Sequence, residues 1–152
     1  MNQNAQTERY KLLVSHLNSY QRNNCYYSSA CFLLSTDSRL TELSLPHISH
    51  DGIDFLAIKR KMSGWDDMRK NVIDIAYSLF HCGPRCRVTP HDIAALPCLQ
   101  LDAVISAMLI SQGRAEVLIQ EGEMRVSFDK YHQQISMQQE YLSAIHTLGI
   151  EL

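Results

Sequence analysis

The densest chemistry in this chain lies in His81-Cys82-Gly83-Pro84-Arg85-Cys86, followed by His91 and Cys98. Thiolates and imidazoles are zinc ligands, and a tight Gly-Pro turn can bring two thiolates together. The spacing argues against a zinc site: three residues separate Cys82 from Cys86, where a compact zinc turn has two. Cys98 stands beside Leu99, as a small core hydrophobe would. His47 and His50, near Asp51 and Asp54, are spaced for a metal or a general base, but beside Gly52 they read as solvated loop residues. Asp66 and Asp67 are adjacent carboxylates at an expected helix start, where they favour the helix dipole. No nucleophile-elbow, dinucleotide-binding or P-loop glycine pattern occurs. These residues predict no catalytic group, no metal and no cofactor.

A second set of side chains could meet anions. Lys59-Arg60-Lys61, Arg69-Lys70, Arg85 and Arg87 could form a basic edge for nucleic acid or an acidic partner. Tyr26-Tyr27 could stack on a base, but with no cations around the pair, core packing is the expectation. Trp65 reads as a staple at a helix start. Met108, Met124 and Met137 read as gap fillers or as an adaptable surface.

Helices must position most of these groups. Tyr10, Leu13, Val14, Leu17 and Tyr20 predict an amphipathic helix over 6–20, broken by Asn23-Asn24. Residues 25–35 predict a buried helix, and 37–45 a short one ended by Pro46. Residues 47–64 read as a connection with a short strand at 55–58. Ser63-Gly64-Trp65-Asp66 has the form of a capping box ahead of a helix over 65–81, stopped by Gly83-Pro84. A short strand is expected over 85–88. Thr89-Pro90-His91-Asp92 opens a brief helix that Pro97 must end. Residues 99–112 predict another helix, closed by Gly113. Residues 114–120 and 124–128 alternate at period two around Glu121-Gly122-Glu123, a hairpin. A last helix starts at Asp129, with Tyr131, Ile135, Leu142, Ile145 and Leu148 expected to face inward. No repeat, heptad array or low-complexity tract stands out.

The order helix, strand, helix, helix, hairpin over residues 65–128 resembles a winged helix-turn-helix domain. Residues 88–96 match the strand and first helix of the motif, 99–112 the recognition helix and 114–128 the wing. The resemblance implies duplex binding through the third helix, yet Asp102 is the only formal charge there. Residues 65–130 carry seven Lys or Arg against nine Asp or Glu, so phosphate neutralisation lacks its driving force. Residues 26–34, 73–80 and 89–93 are also similar to a group of small uncharacterised bacterial and prophage proteins, which implies a bacterial or phage origin.

The expected fold is mainly α with a small β-hairpin. An N-terminal helical segment, 1–62, packs on a winged-helix-like segment with a closing C-terminal helix, 63–152, as one compact unit. At 152 residues the chain needs neither metal nor disulfide to fold. A formal charge of −2 gives no overall pull toward nucleic acid or an anionic membrane. A polar N-terminal octet, five cysteines and uncharged stretches too short to span a bilayer predict a cytoplasmic protein with reduced thiols. The function expected is a non-enzymatic protein–protein interaction module, an inhibitor or adaptor of a host complex. The alternative is a winged-helix transcriptional regulator. Residues Tyr131, Ile135, Leu142 and Ile145 are the candidate homodimer helix.

Overall fold

The computed structural model describes residues 3–83 and 86–150. Helix α1 (Gln3–Ser15) is shorter than its apolar spacing suggests. Leu17 lies wholly buried just after it, and Asn18 and Gln21 exchange reciprocal caps that start a new turn, α2 (Ser19–Arg22). The expected break at residues 23–24 is real, since Asn24 caps α3 (Cys25–Leu34) by accepting from the Tyr26 amide. Asp37 caps α4 (Ser38–Ser44) through the amides of Arg39 and Leu40, and a 3₁₀ turn (Leu45–His47) carries Pro46.

The stretch expected as a connection is structured. A two-residue hairpin, β1 (Ile48–Ser49) and β2 (Gly52–Ile53), leads into α5 (Phe55–Arg60), a helix where a strand was expected. The reason is local: the Asp54 carboxylate accepts from the Ala57 amide, while Phe55, Ile58 and Met62 recur at helical spacing and are all buried. Helix α6 (Asp67–Phe80) is capped by Asp66, not Ser63, with its carboxylate 3.0 Å from the Arg69 amide. Of the strand expected at 85–88, Arg85 lies outside the described residues, and 86–88 take no regular structure.

Helix α7 (Pro90–Ala94) has the capping box its sequence announces, with Thr89 and Asp92 bonding each other's amides. Helix α8 (Cys98–Ser111) follows, and Gly113 turns the chain at φ 67°. Strands β3 (Glu116–Gln120) and β4 (Glu123–Ser127) pair antiparallel, with Val117 opposite Val126 and Ile119 opposite Met124. Glu121 and Gly122 both take positive φ, 52° and 84°, as a two-residue turn matched to strand twist requires. Helix α9 (Asp129–Thr147) ends the described fold. The protein is mainly α with a small β part.

Helix α3 is the axle. Residues 29 to 34 are buried without interruption, which requires enclosure on every side. Helices α1, α4, α6 and α8 and strand β3 supply it. Ser29 and Ala30 on α3 and Ala103 and Ala107 on α8 are small and buried, on two helices packed against each other. The Ser29 hydroxyl donates to the Ala107 carbonyl at 2.8 Å. Where α3, α5 and α6 meet, Tyr27 packs edge-on against Phe80, and Phe55 packs at a tilt against Tyr77 and Phe80, so Tyr27 packs as expected. Helix α1 closes the opposite side. Thr7, fully buried, accepts from the Met124 amide at 3.0 Å and donates to the Gln3 carbonyl, tying α1 to β4. The buried residues form one cluster drawn from both 1–62 and 63–152.

Helix α9 overturns its expected packing. None of its residues is fully buried: Tyr131, Ile135 and Ile145 are half-buried, while Leu142 and, just past its end, Leu148 are 52% and 74% exposed. Lys130 ties the first turn to Glu116 of β3 at 3.2 Å.

Candidate interaction surfaces

The basic edge is partly assembled. Lys59 and Arg60 of α5, Ser63 beyond it, and Lys70 and Asp74 of α6 line one cavity of about 280 Å³ together with Met62 and Ile73. Lys59 Nζ lies 2.7 Å from Asp74 Oδ1 and 4.8 Å from the Tyr77 ring centroid, so its charge already has partners. Lys59 and Arg60 also occupy the last turn of α5, where cations complement the helix dipole. Arg60 and Lys61 are exposed.

Arg69 faces elsewhere. Its guanidinium reaches Asp37 Oδ2 at 2.7 Å and Asp66 Oδ2 at 2.8 Å, joining α4 to the start of α6. Burial pushes the Asp37 carboxyl up. The Arg69 hydrogen bonds and the Leu40 and Arg39 amides outweigh that and hold it below its ordinary value. The same two carboxylates raise the Arg69 pKa, Asp37 foremost. Arg69 is therefore a structural clamp. Arg87 is exposed and does not line the α5–α6 cavity, and Arg85 lies outside the described residues.

The sulfur and imidazole residues are not gathered. Cys82, Cys86, His91 and Cys98 are all exposed, and among the described residues no three His, Cys, Asp or Glu are placed to hold a metal ion. Cys98 is thus a surface thiol rather than the core hydrophobe its neighbours suggested. Cys82 sits at φ 57° just past α6, beside Tyr26, and this thiol raises the Tyr26 hydroxyl pKa. Sequence reasoning missed this pair because 56 positions separate the two residues. His47 and His50 also part company. His50 is exposed and Asp54 is spent as the cap of α5, while the buried Nε2 of His47 lacks a hydrogen-bond partner.

What the fold leaves uncovered is apolar. Along α8, Leu99, Ile105 and Met108 are exposed, with Asp102 between them. Along α9, Met137, Tyr141, Leu142 and Leu148 are exposed. At the root of α9, Leu99, Asp102 and Ser106 face Val126 and Phe128 across a cavity of about 390 Å³. Of Met108, Met124 and Met137, Met124 is core while the other two are surface. Isolated exposed apolar side chains are ordinary, but a stripe along an unpartnered helix marks a contact surface.

Among the described residues, no helix is long and apolar enough to cross a membrane. Comparisons with protein-family models, with curated proteins and with solved structures find no match.

Proposed function

We propose that this protein is a non-enzymatic protein–protein interaction module of bacterial or phage origin that works in the cytoplasm. It is built on a winged-helix-like order of α6, α7, α8 and the β3–β4 hairpin, and it serves as an inhibitor or adaptor of a host complex. It pairs with itself through α9, leaving the apolar outer face of α8 for another protein. The observation that carries this reading is α9 itself: nineteen residues, none buried, with a run of large apolar side chains in solvent. A helix in water gains most of its stability from burying such a face, so this one calls for a partner.

The wing and third helix support a protein partner over DNA. The helix offers Leu99, Ile105 and Met108 where base reading needs Arg, Asn or Gln. Mass by sedimentation equilibrium tests self-association. The chain should pass from monomer to dimer as its concentration rises through the micromolar range, and Leu142→Glu with Ile145→Glu should hold it monomeric. A strictly monomeric wild type would remove the self-pairing.

The regulator reading keeps one specific support, the convergence of Lys59, Arg60 and Lys70 on a single cavity. Fluorescence anisotropy of a random duplex at low and moderate salt separates the two. Binding that weakens steeply with salt, and that charge reversal at Lys59, Arg60 and Lys61 abolishes, would give DNA the lead. No retention at low salt is the expected outcome.

A further inference from the structure

The apolar positions of α9 follow a finer rule than amphipathicity. Tyr131, Ile135, Gln138, Leu142 and Ile145 are separated by four, three, four and three residues. That is the a/d seam of a two-stranded coiled coil, with Ile135 and Leu142 at a and Tyr131, Gln138 and Ile145 at d. The pattern is about two heptads long with a polar residue at one seam position, so it does not stand out as a heptad array. The three formal charges of α9, Asp129, Lys130 and Glu140, fall at the b, c and f positions, away from the seam. The flanking e and g positions hold His132, Gln134, Gln139, Tyr141, His146 and Leu148, so two copies would meet without like carboxylates or ammonium groups opposed.

We propose that α9 pairs with α9 of a second copy as a parallel, in-register two-stranded coiled coil, its register set by a layer in which the two Gln138 amides face each other. This deepens, and rests on, the self-association through α9 proposed above. Like positions meet in a parallel pair, so each Gln138 amide can donate to and accept from its twin while Ile135, Leu142 and Ile145 form apolar layers. In an antiparallel pair a positions meet d positions. Gln138 would then lie against Ile135 in two layers, leaving both amides buried without a partner. The seam gives the parallel pairing a polar layer that is satisfied only in register. Gln138 is exposed in the single chain, so changing it leaves the body of the fold intact.

The test is a charge exchange at that layer, read as mass by sedimentation equilibrium on the full chain. Circular dichroism melts at low concentration confirm that each variant keeps the wild-type fold. Gln138→Glu and Gln138→Lys should each be monomeric near neutral pH where the wild type is dimeric, and an equimolar mixture should recover a dimer of one copy of each. Such recovery requires the two residues at 138 to face each other. If either variant alone remains dimeric, or the mixture stays monomeric, the parallel in-register layer is wrong although self-association through α9 stands. A monomeric wild type, or a dimer indifferent to Leu142→Glu with Ile145→Glu, overturns the broader reading instead.

Discussion

A hydroxyl at position 7 joins two elements that are 117 residues apart in the chain, and its loss tests how much one hydrogen bond matters there. Thr7→Val keeps the shape but strands the Met124 amide without its acceptor. Denaturant unfolding should show a loss of about 1–3 kcal/mol, the cost of an unsatisfied buried donor. Two other buried groups set the response to alkali. Burial pushes the Tyr10 hydroxyl up to about 12 from 10.0, with the nearby Cys31 thiol adding to it, and burial alone pushes Cys31 up to about 12 from 9.0. Both groups hold their protons in the fold at pH values where the unfolded chain has lost them. Their contribution is therefore whole below about pH 9 and is lost as pH rises toward 12. Tyr10→Phe should flatten the stability-against-pH curve by roughly 1–3 kcal/mol between about pH 10 and 12, and chemical unfolding at a series of alkaline pH values would measure it. A parallel decline in wild type and variant would remove Tyr10 as a cause. None of this was legible in the sequence. Tyr10 was visible as an inward position of a helix, but neither its proximity to Cys31 nor Thr7's reach to β4 follows from spacing.

Elements were legible where capping and periodicity agreed. Thr89 to Asp92 announces α7 down to the reciprocal hydrogen bonds, and the alternation around Glu121-Gly122 gives the hairpin with its facing pairs. Residues 55–58 failed because four apolar-rich residues fit either period, and only the Asp54 cap and Met62 beyond decide for helix. The α3–α8 contact, by contrast, depends on residue size rather than pattern. Ala107→Leu would force four-carbon bulk between backbones held together by the Ser29 hydroxyl. An overpacking loss of about 1–3 kcal/mol is expected, read from the midpoint of urea unfolding. A neutral result would mean that α8 can slide along α3. At the candidate site, sequence spacing found the residues of the basic cavity but not their partners. Asp37 and Asp74, which occupy Arg69 and Lys59, come from distant or unpatterned positions.

Taken whole, the molecule has a core that does not need its last helix. Ending the chain after Lys130 should leave the thermal midpoint at low concentration within a few degrees of wild type, because α9 contributes no fully buried residue. The full chain's midpoint should rise with protein concentration, and that dependence should vanish in the shortened chain. A large loss of stability in the shortened monomer, seen by calorimetry, would mean that α9 supports the core after all. The chain by itself determined the helix-rich composition of the fold, the capped starts of α3, α4 and α7, the hairpin and its turn, and the apolar, charge-poor character of α8. Those follow from local hydrogen bonding and periodicity, which act over a few residues. Only the tertiary structure decided that α3 is the enclosed axle, that Arg69 is a clamp rather than a contact, and that Met137, Tyr141 and Leu142 of α9 face solvent. A stripe of Tyr, Ile and Leu looks the same in sequence whether it faces its own core or another chain. The difference lies in how much area the other helices have already covered.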